Sequence, residues 1–356
     1  MQVSTRSGMR IRRSIHDKIP VQSPNRTSLT SPFPPEINSK LPLLIKGKIV
    51  LDVSKKAYFK NSKTPEHLVL TSVAETDKGL VRDYNEDKYT IVNEKISSAS
   101  VHFFGLYDGH GGSRCSEYLR QHLHDFILKD PELTVDPKNV ILRNFIKAEN
   151  LFIEEAKRNN FDRSGSCALA CIIIRDKCFI ANLGDSRAVL SSNKGNKVFV
   201  LSKDHKPLDE VEMNRIVQAG GYVYQNSNYN TVPALVGPHR VFPGRLSVSR
   251  TIGDIYAKLA QYGGNANVII PTPEIKNFRV LPEHDFILMC SDGIFDRIDN
   301  QKAVECVWES FRENWQAGVQ QKCALAARKL IQLAFERKST DNVTVIIVAF
   351  ANSHEN

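Results

Sequence analysis

Acidic residues stand at the ends of apolar, strand-like segments at five places in this 356-residue chain. They are Asp83, Glu86 and Asp87 before residues 88–92, Asp108 after 101–107, Asp185 after 178–183, Asp292 after 285–290 with Asp296 four residues further on, and Asp341 before 343–350. Taken singly, each is compatible with a turn, because Asp is common in turns. Together they predict carboxylates that converge at one end of a sheet, where a cation or bound protons must relieve their repulsion.

The segment VHFFGLYDGHGG, residues 101–112, is the most informative of these. Its β-branched and aromatic residues predict a buried strand as far as Tyr107. The glycines that follow allow a sharp turn and bring backbone carbonyls close to a ligand. Asp108 can hold a hard cation, and His110 can move a proton. This segment therefore predicts metal binding next to acid–base chemistry.

The types of side chain favour Mg²⁺ or Mn²⁺, because these ions prefer oxygen ligands and no cysteine or histidine pair has zinc-finger spacing. Two such ions bridged by a carboxylate activate a water molecule and hold a phosphoryl group. Arg82 could bind phosphate oxygens bidentately. The residues alone thus indicate metal-dependent phosphoryl hydrolysis.

Motifs in a fixed order carry a resemblance to a known family. They are RDYNED at 82–87, FFGLYDGHGG at 103–112, SGSCALACII at 164–173, NLGDSRAVL at 182–190, LSKDHKP at 201–207, RLSVSRTIGD at 245–254, FILMCSDGIFD at 286–296 and STDNVTVIIV at 339–348. In this order they resemble the metal-dependent Ser/Thr protein phosphatases of type 2C over most of residues 68–350. One motif is weak evidence, whereas the ordered set is specific.

The resemblance implies a set of metal ligands. Asp108 matches the carboxylate that bridges two ions, Mg²⁺ or Mn²⁺. Asp292 and Asp341 match the ligands of one ion, and Glu86 with the Gly109 carbonyl match the ligands of the other.

The resemblance also implies further acidic positions around the metals. Asp87 matches a residue that holds metal-bound water, and Asp185, with Asp292 and Asp296, matches a weaker third metal site found in many members. The residues alone leave simpler roles open, because Asp87 and Asp185 could each be turn residues.

Three basic residues complete the implied site. Arg82 matches the phosphate-binding arginine, and His110 matches the general acid that protonates the leaving alcohol. Arg250 matches an arginine beside the flap and is a candidate for substrate binding, although it could instead pair with Asp254. The implied mechanism is direct attack by metal-bound hydroxide on phosphoserine or phosphothreonine, without a phosphoenzyme.

One residue and one segment depart from the family pattern. Cys167 stands where members usually carry Thr, close to the implied metal site. Residues 225–245 replace the usual approach to the motif at 245–254, and this region forms the flap in relatives. Substrate choice therefore cannot be inferred from the resemblance.

The pattern of segments predicts an α+β fold. Strand-like runs lie at 68–74, 88–92, 101–107, 167–174, 178–183, 187–190, 198–201, 285–290 and 343–350, and helical patterns at 113–128, 140–158, 209–219, 303–311 and 317–335. Helices grouped between sets of strands predict two packed antiparallel sheets with helices outside. The resemblance makes this a four-layer αββα sandwich.

Charge divides the chain into two parts. Residues 1–64 carry thirteen Lys/Arg and three Asp/Glu, a formal +10, whereas the whole chain is +9. We expect this basic, Ser/Pro-rich extension to be disordered, with 41–60 packing on a catalytic domain at 65–352. It could dock an acidic partner or surface. Its first arginines and serines also fit a mitochondrial transit peptide, a minority alternative to a cytoplasmic or nuclear location.

The leading interpretation is a protein serine/threonine phosphatase that acts as a monomer on phosphorylated proteins. No specific nucleic-acid motif and no transmembrane segment is evident, and seven cysteines without framework spacing indicate reduced thiols inside the cell. One alternative is a catalytically weak pseudophosphatase that serves as a binding or scaffold module. Another is a phosphatase of a small phosphorylated metabolite.

Overall fold

The computed structural model describes residues 68–160, 162–228 and 235–351. The basic extension at 1–64, including 41–60, lies outside the described residues, so its predicted disorder and packing stay predictions. The catalytic-domain bounds of 65–352 also stay a prediction.

The described chain alternates groups of strands with groups of helices. The strands are β1 (Val69–Asp77), β2 (Lys88–Ile96), β3 (Ala99–Tyr107), β4 (Gly109–His110), β5 (Gly165–Ser166), β6 (Ala168–Ile174), β7 (Lys177–Leu183), β8 (Arg187–Ser192), β9 (Lys197–Val200), β10 (Tyr222–Asn228), β11 (Leu235–Phe242), β12 (Ile252–Gly253), β13 (Glu274–Arg279), β14 (His284–Cys290) and β15 (Val343–Phe350). The helices are α1 (Arg114–Leu128), α2 (Pro137–Arg158), α3 (Glu210–Gln218), α4 (Ile255–Lys258), α5 (Asp292–Phe295), α6 (Asn300–Glu313) and α7 (Val319–Glu336).

Two five-stranded antiparallel sheets form the centre of the molecule. Sheet I has the strand order β13-β7-β6-β3-β2, and sheet II has the order β1-β15-β14-β8-β9. All of their paired strands run antiparallel, as β3 does with both β2 and β6. The antiparallel arrangement lets short turns place strand ends of both sheets at the same edge of the molecule.

Alternation along the strands explains why the sheets pack on each other. In β3, Phe104 and Leu106 belong to the core between the sheets, whereas Phe103 packs with α1 and α2. In β15, Ile346 likewise faces the core between the sheets, and Ile347 packs with α6 and α7. Each sheet thus buries both faces. The predicted four-layer αββα sandwich is confirmed.

The predicted strands and helices are all present, with ends shifted by a few residues. Helix α2 begins at Pro137, earlier than the apolar pattern indicated, because the Asp136 side chain accepts a hydrogen bond from the Asn139 N–H as a cap. The sequence patterns missed β10, β11 and β13 in the interval 222–279, and they also missed the short elements β4, β5, β12, α4 and α5.

A small three-stranded sheet closes the end of the sandwich where the acidic residues lie. Its order is β12-β5-β4, so residues 109–110, 165–166 and 252–253 lie side by side. This sheet brings His110 next to the loop that follows β12. Within the part of the chain that is described, no helix is both long and apolar enough to cross a membrane.

Candidate active site

A cavity of about 270 Å³ opens at the end of the sandwich where strands of both sheets terminate. Asp108 directly follows β3, and Asp185 follows β7, so both come from sheet I. Asp292 follows β14, and Asp341 precedes β15, so these come from sheet II. The cavity is lined by Arg82, Glu86, Asp108, Gly109, His110, Gly111, Cys167, Asp185, Arg240, Leu246, Ser247, Val248, Asp292 and Asp341. The sequence expectation that the carboxylates converge is therefore met by the fold.

Three carboxylates form the centre of this cavity, which we call the acid cavity. Asp108, Asp185 and Asp292 each offer an oxygen atom, and these atoms all lie within 4.8 Å of one another. Burial raises the pKa of Asp108 well above its usual range, and the charges of Asp87, Asp292, Asp185 and Asp341 raise it further. Burial is also the main reason that the pKa of Asp292 is raised. Such a group suits a divalent cation, which would relieve both effects.

Asp185 lies in this central group, although the resemblance connected it with a weaker third site. Lys206 Nζ donates a hydrogen bond to its Oδ2, and the Cys167 thiol donates to its Oδ1 at 3.3 Å. The turn that carries Asp185 is held by His205, whose Nδ1 accepts from the Gly184 N–H at 3.1 Å. Asp185 is therefore a fixed carboxylate that one protein cation already contacts.

Glu86 and Asp87 lie on the loop before β2, at the sheet I side of the site. Glu86 Oε1 accepts a hydrogen bond from the Gly112 N–H at 2.5 Å, and its backbone N–H donates to Asn342 Oδ1 at 2.9 Å. Asp87 is buried and accepts from Thr344 Oγ1 at 2.7 Å, and burial raises its pKa to about 6. Asn342 thus ties the two acidic loops together.

Arg82 and Asp341 form the exposed rim of the acid cavity. Arg82 Nη2 lies 2.7 Å from Asp341 Oδ2, and the two side chains are 47% and 38% exposed. Burial lowers the pKa of Arg82, but Asp341, then Glu86 and Asp292, raise it above its usual value. Because an exposed ion pair contributes little, either partner can exchange it for a ligand.

His110 is paired with Asp254 on the opposite side of the acid cavity. Its Nε2 lies 3.0 Å from Asp254 Oδ1 and 2.9 Å from Oδ2. Burial lowers the pKa of His110, but Asp254, followed by Asp185 and Glu86, raises it overall. Gly165 lies directly beneath this pair, where a Cβ atom would come within 2.0 Å of Asp254 Oδ2 and 2.5 Å of His110 Nε2. Any side chain at position 165 would clash with this pair, so glycine is required there.

A buried ion pair holds the backbone that presents Asp254. Glu149 accepts from the Gly253 N–H at 2.8 Å and from Lys258 Nζ at 2.6 Å. Lys258 also donates to the Thr251 carbonyl at 2.7 Å. Both charged side chains are almost fully buried, so they fix the position of the loop on helix α2.

Two sequence-predicted residues lie outside the lining of the acid cavity. Arg250 does not pair with Asp254, the alternative that the sequence allowed, because its guanidinium contacts Glu212 at 2.5 and 3.1 Å and the Thr272 carbonyl at 3.0 Å. Asp296 does not line the cavity and is exposed, but its charge raises the pKa of the central Asp292 and of Lys206.

Two residues that sequence reasoning did not place in the site contact it closely. Lys206 follows the LSKDH segment and binds Asp185, and Asp254 ends the RLSVSRTIGD segment and binds His110. Both are charged residues within motifs that carried the resemblance, and this was the signal in the sequence that could have placed them near the site. Their partners could not be inferred, because 21 and 144 residues separate them along the chain.

Comparisons with known proteins agree with this geometry. The family model described as Protein phosphatase 2C matches residues 73–343. The chain is 34% identical over 265 residues to "Probable protein phosphatase 2C 52" of Oryza sativa subsp. japonica, covering 74% of this chain and 48% of that protein. It is 31% identical over 283 residues to "Protein phosphatase 1L" of Bos taurus, covering 76% of this chain and 70% of that one.

A solved structure shares the fold. The crystal structure of serine-threonine phosphatase 2C from Toxoplasma gondii superimposes with a TM-score of 0.64 at 22% identity, covering 78% of this chain and 94% of that one. The chain therefore belongs to the protein phosphatase 2C family, as the sequence motifs predicted. It spans less than two thirds of the length of the first curated relatives that it matches.

Proposed function

We propose that this protein is a metal-dependent serine/threonine phosphatase that hydrolyses phosphoserine and phosphothreonine in proteins. One observation carries the proposal: three carboxylates from different strand ends offer oxygens within 4.8 Å of one another, in a cavity that Arg82 and His110 also line. Membership of the protein phosphatase 2C family supports the same reaction. The substrate class and the residue roles are part of the proposal.

The cofactor in this proposal is Mg²⁺ or Mn²⁺, with two ions per site and a weaker third. Asp108, Asp292 and Asp341 would hold one ion, and Asp108, Glu86 and the Gly109 carbonyl would hold the other. All five residues line the acid cavity, and their donors are oxygen atoms, which fits these hard cations. When bound, such ions lower the pKa of water and stabilise charge on a phosphoryl group.

Arg82 is the phosphate-binding residue in this proposal. Its guanidinium pairs with the Asp341 carboxylate at the exposed rim. When a substrate binds, the guanidinium would exchange this contact for one with the phosphate dianion. Arginine suits this role because its planar fork matches two phosphate oxygens. Asp87 would hold water near the metals through its buried, hydrogen-bonded carboxylate.

His110 is the general acid for the leaving alcohol. Asp254 accepts a hydrogen bond from the protonated ring at Nε2 and thereby favours the imidazolium form, which is the form that a proton donor requires. Asp254 is a positioning residue, because it acts through His110. Arg250 would support the flap rather than hold phosphate, because Glu212 and a backbone carbonyl already bind its guanidinium.

Two alternatives from the sequence carry less weight. A pseudophosphatase would be expected to lose metal ligands, but Glu86, Asp108, Asp292 and Asp341 are all retained in the cavity. A phosphatase of small metabolites would require the same core, so only substrate comparison separates it. Phosphothreonine peptides and sugar phosphates, assayed side by side, make that comparison.

The test is phosphate release from a phosphothreonine peptide, with and without millimolar Mn²⁺, by the wild type and by Asp292→Asn. We expect turnover that depends on Mn²⁺ and that the substitution abolishes. Asp125→Asn is the matched control, because Asp125 is a partly exposed residue on α1 whose carboxylate pairs with Lys129 and His124 and does not line the acid cavity. Metal-loaded, folded wild type that releases no phosphate would overturn the proposal.

We also propose a monomer that works in the cytoplasm or nucleus, with the basic extension at 1–64 docking an acidic partner or surface. The printed name of one rice relative includes the word mitochondrial, and this keeps the transit-peptide alternative in view for residues 1–40. Light scattering tests the monomer. Imaging of the full chain and of a chain lacking residues 1–64 tests the location, and mitochondrial import of the full chain would overturn it.

A further inference from the structure

A second cavity adjoins the acid cavity on the side of His110. Its volume is about 630 Å³, which lies within the ~300–1,000 Å³ typical of ligand sites. His110, Gly111 and Leu246 line both cavities, so the two are adjacent. A chain whose phosphoryl group occupies the acid cavity therefore meets this second cavity, which we call the lateral groove, within a few atoms of the leaving oxygen.

The lateral groove has the opposite charge to the acid cavity. Among the described residues that line it, Arg163 and Arg245 are cationic and exposed, and Asp254 is the one carboxylate. His110 already binds Asp254. No carboxylate of the described residues forms an ion pair with Arg163 or Arg245. Two arginines thus line the groove without a carboxylate partner among the described residues.

Aromatic packing orients the first of these arginines. The Arg163 guanidinium lies 4.4 Å from the centroid of the Tyr256 ring, a cation–π distance. Tyr256 in turn packs on Tyr262, with 4.4 Å between the ring centroids. Because both tyrosines line the groove, their packing supports the Arg163 guanidinium at its wall.

Backbone contacts hold the second arginine. Arg245 has a left-handed backbone conformation, with φ of 60°, and its N–H donates to the Val241 carbonyl at 2.7 Å. Its own carbonyl accepts a hydrogen bond from Arg240 Nη1 at 2.6 Å. The turn at 241–246 is therefore fixed from both sides. A fixed backbone limits the positions that the Arg245 side chain can reach, which lowers the entropic cost of binding an anion.

We propose that the lateral groove binds an anionic side chain of the substrate next to the phosphorylated residue, with Arg163 and Arg245 as the specificity-determining residues. The anion is the carboxylate of Asp or Glu or the phosphate of a second phosphorylated residue, since guanidinium groups bind both. This inference rests on the proposed phosphatase function and names the substrate class of that same site.

The test compares phosphothreonine peptides that differ only in one neighbouring residue, on the amino side and on the carboxyl side in turn. That residue is Ala, Asp, phosphoserine or Lys, and kcat/KM is measured with the wild type. We expect Asp to exceed Ala by about tenfold on one of the two sides, and Lys to fall below Ala, because the groove is cationic. Phosphoserine above Asp would identify a second phosphate as the preferred anion, and Asp above phosphoserine would identify a carboxylate.

The variants Arg163→Glu and Arg245→Glu test the two arginines through the ratio of kcat/KM for the Asp and Ala peptides. A folding defect lowers both rates together and leaves this ratio unchanged, whereas loss of the proposed contact brings it to one or below. Arg312→Glu, an exposed arginine on α6, is the matched control and should keep the wild-type ratio.

Two results would overturn the inference in distinguishable ways. Equal kcat/KM for Asp, Ala and Lys peptides, or a wild-type ratio in both glutamate variants, would exclude the lateral groove as the anion site while leaving the phosphatase intact. No hydrolysis of any phosphopeptide by metal-loaded wild type would remove the proposed function, and this inference with it.

Discussion

Two groups of carboxylates in this protein differ in how their charge is compensated. In the acid cavity, burial and neighbouring carboxylates raise the pKa of Asp108 and Asp292 well above the usual range. On helix α3, Glu212 is 2% exposed, but Arg215 and Arg250 both donate to it. Although burial raises the pKa of Glu212, hydrogen bonds from Arg250, Ser249 and Arg215 lower it to about 2.

The difference shows which carboxylates have their charge compensated by other residues of the same chain. Glu212 joins α3 to the segment at 249–250, and its charge is balanced by residues of the same chain. In the acid cavity, Lys206 contacts Asp185 and Arg82 contacts only the rim. The remaining charge there requires protons or cations from solution. The structural cluster and the proposed ligand site thus differ in whether residues of the same chain balance their charge.

The largest expected effect comes from removing one charge of the acid cavity. We expect Asp108→Asn to lower phosphate release on the order of 10³-fold, because the substitution removes a carboxylate of the proposed metal site. The same substitution should raise the melting temperature measured in EDTA, since it relieves repulsion from Asp185 and Asp292. Lower thermal stability of this variant in EDTA would contradict the account of uncompensated charge.

The corresponding substitution in the Glu212 cluster should lower stability instead of raising it. We expect Glu212→Gln to lower the free energy of unfolding by about 3 kcal/mol, because it leaves two guanidinium groups without their buried anion. Urea unfolding measures this change. Glu94→Gln, at an exposed position of β2, is the control and should stay within about 0.5 kcal/mol of wild type. A Glu212→Gln variant as stable as this control would remove the distinction between the two clusters.

Added Mn²⁺ should raise stability through the acid cavity and not through the Glu212 cluster. At free Mn²⁺ one hundred times its dissociation constant, we expect the free energy of unfolding of wild type to rise by about 2.7 kcal/mol, since binding to the folded state alone stabilises it. Glu212→Gln should gain the same increment from its lower starting value, and Asp108→Asn should gain less than half of it. Urea unfolding with and without Mn²⁺ provides both comparisons, and a full increment in Asp108→Asn would count against a site centred on this residue.

The sequence predicted the sheets and the position of the acid cavity because both follow from local patterns. Alternating residues in β3 and β15 pack on the core between the sheets and on the helices, and Asp108 and Asp292 stand just beyond strand ends where such patterns stop. Even without tertiary information, the strands of two packed antiparallel sheets can end only at one or the other end of the sandwich. The convergence of the carboxylates was therefore predictable.

The contacts that compensate charge were not predictable from the same patterns. Glu212 and Arg250 are 38 residues apart, and His110 and Asp254 are 144 apart, so neither pairing leaves a periodic signal. Strands β10 and β11 were missed because polar residues in the segment around Tyr222 do not alternate with apolar ones. The lateral groove was missed for a related reason, since Arg163 and Arg245 come from loops that only the tertiary fold brings together.

The smallest expected effect concerns pH and again separates the two clusters. Because the pKa of Glu212 is lowered from 4.5 to about 2 in the folded protein, its stabilising contribution is complete above pH 4.5 and is lost as the pH falls toward 2. At pH 3 this loss amounts to about 2 kcal/mol by linkage. Urea unfolding of wild type and Glu212→Gln at pH 3 and pH 6 should therefore show a difference between the two proteins that is smaller at pH 3. An equal or larger difference at pH 3 would mean that Arg215 and Arg250 do not hold Glu212 in its charged form.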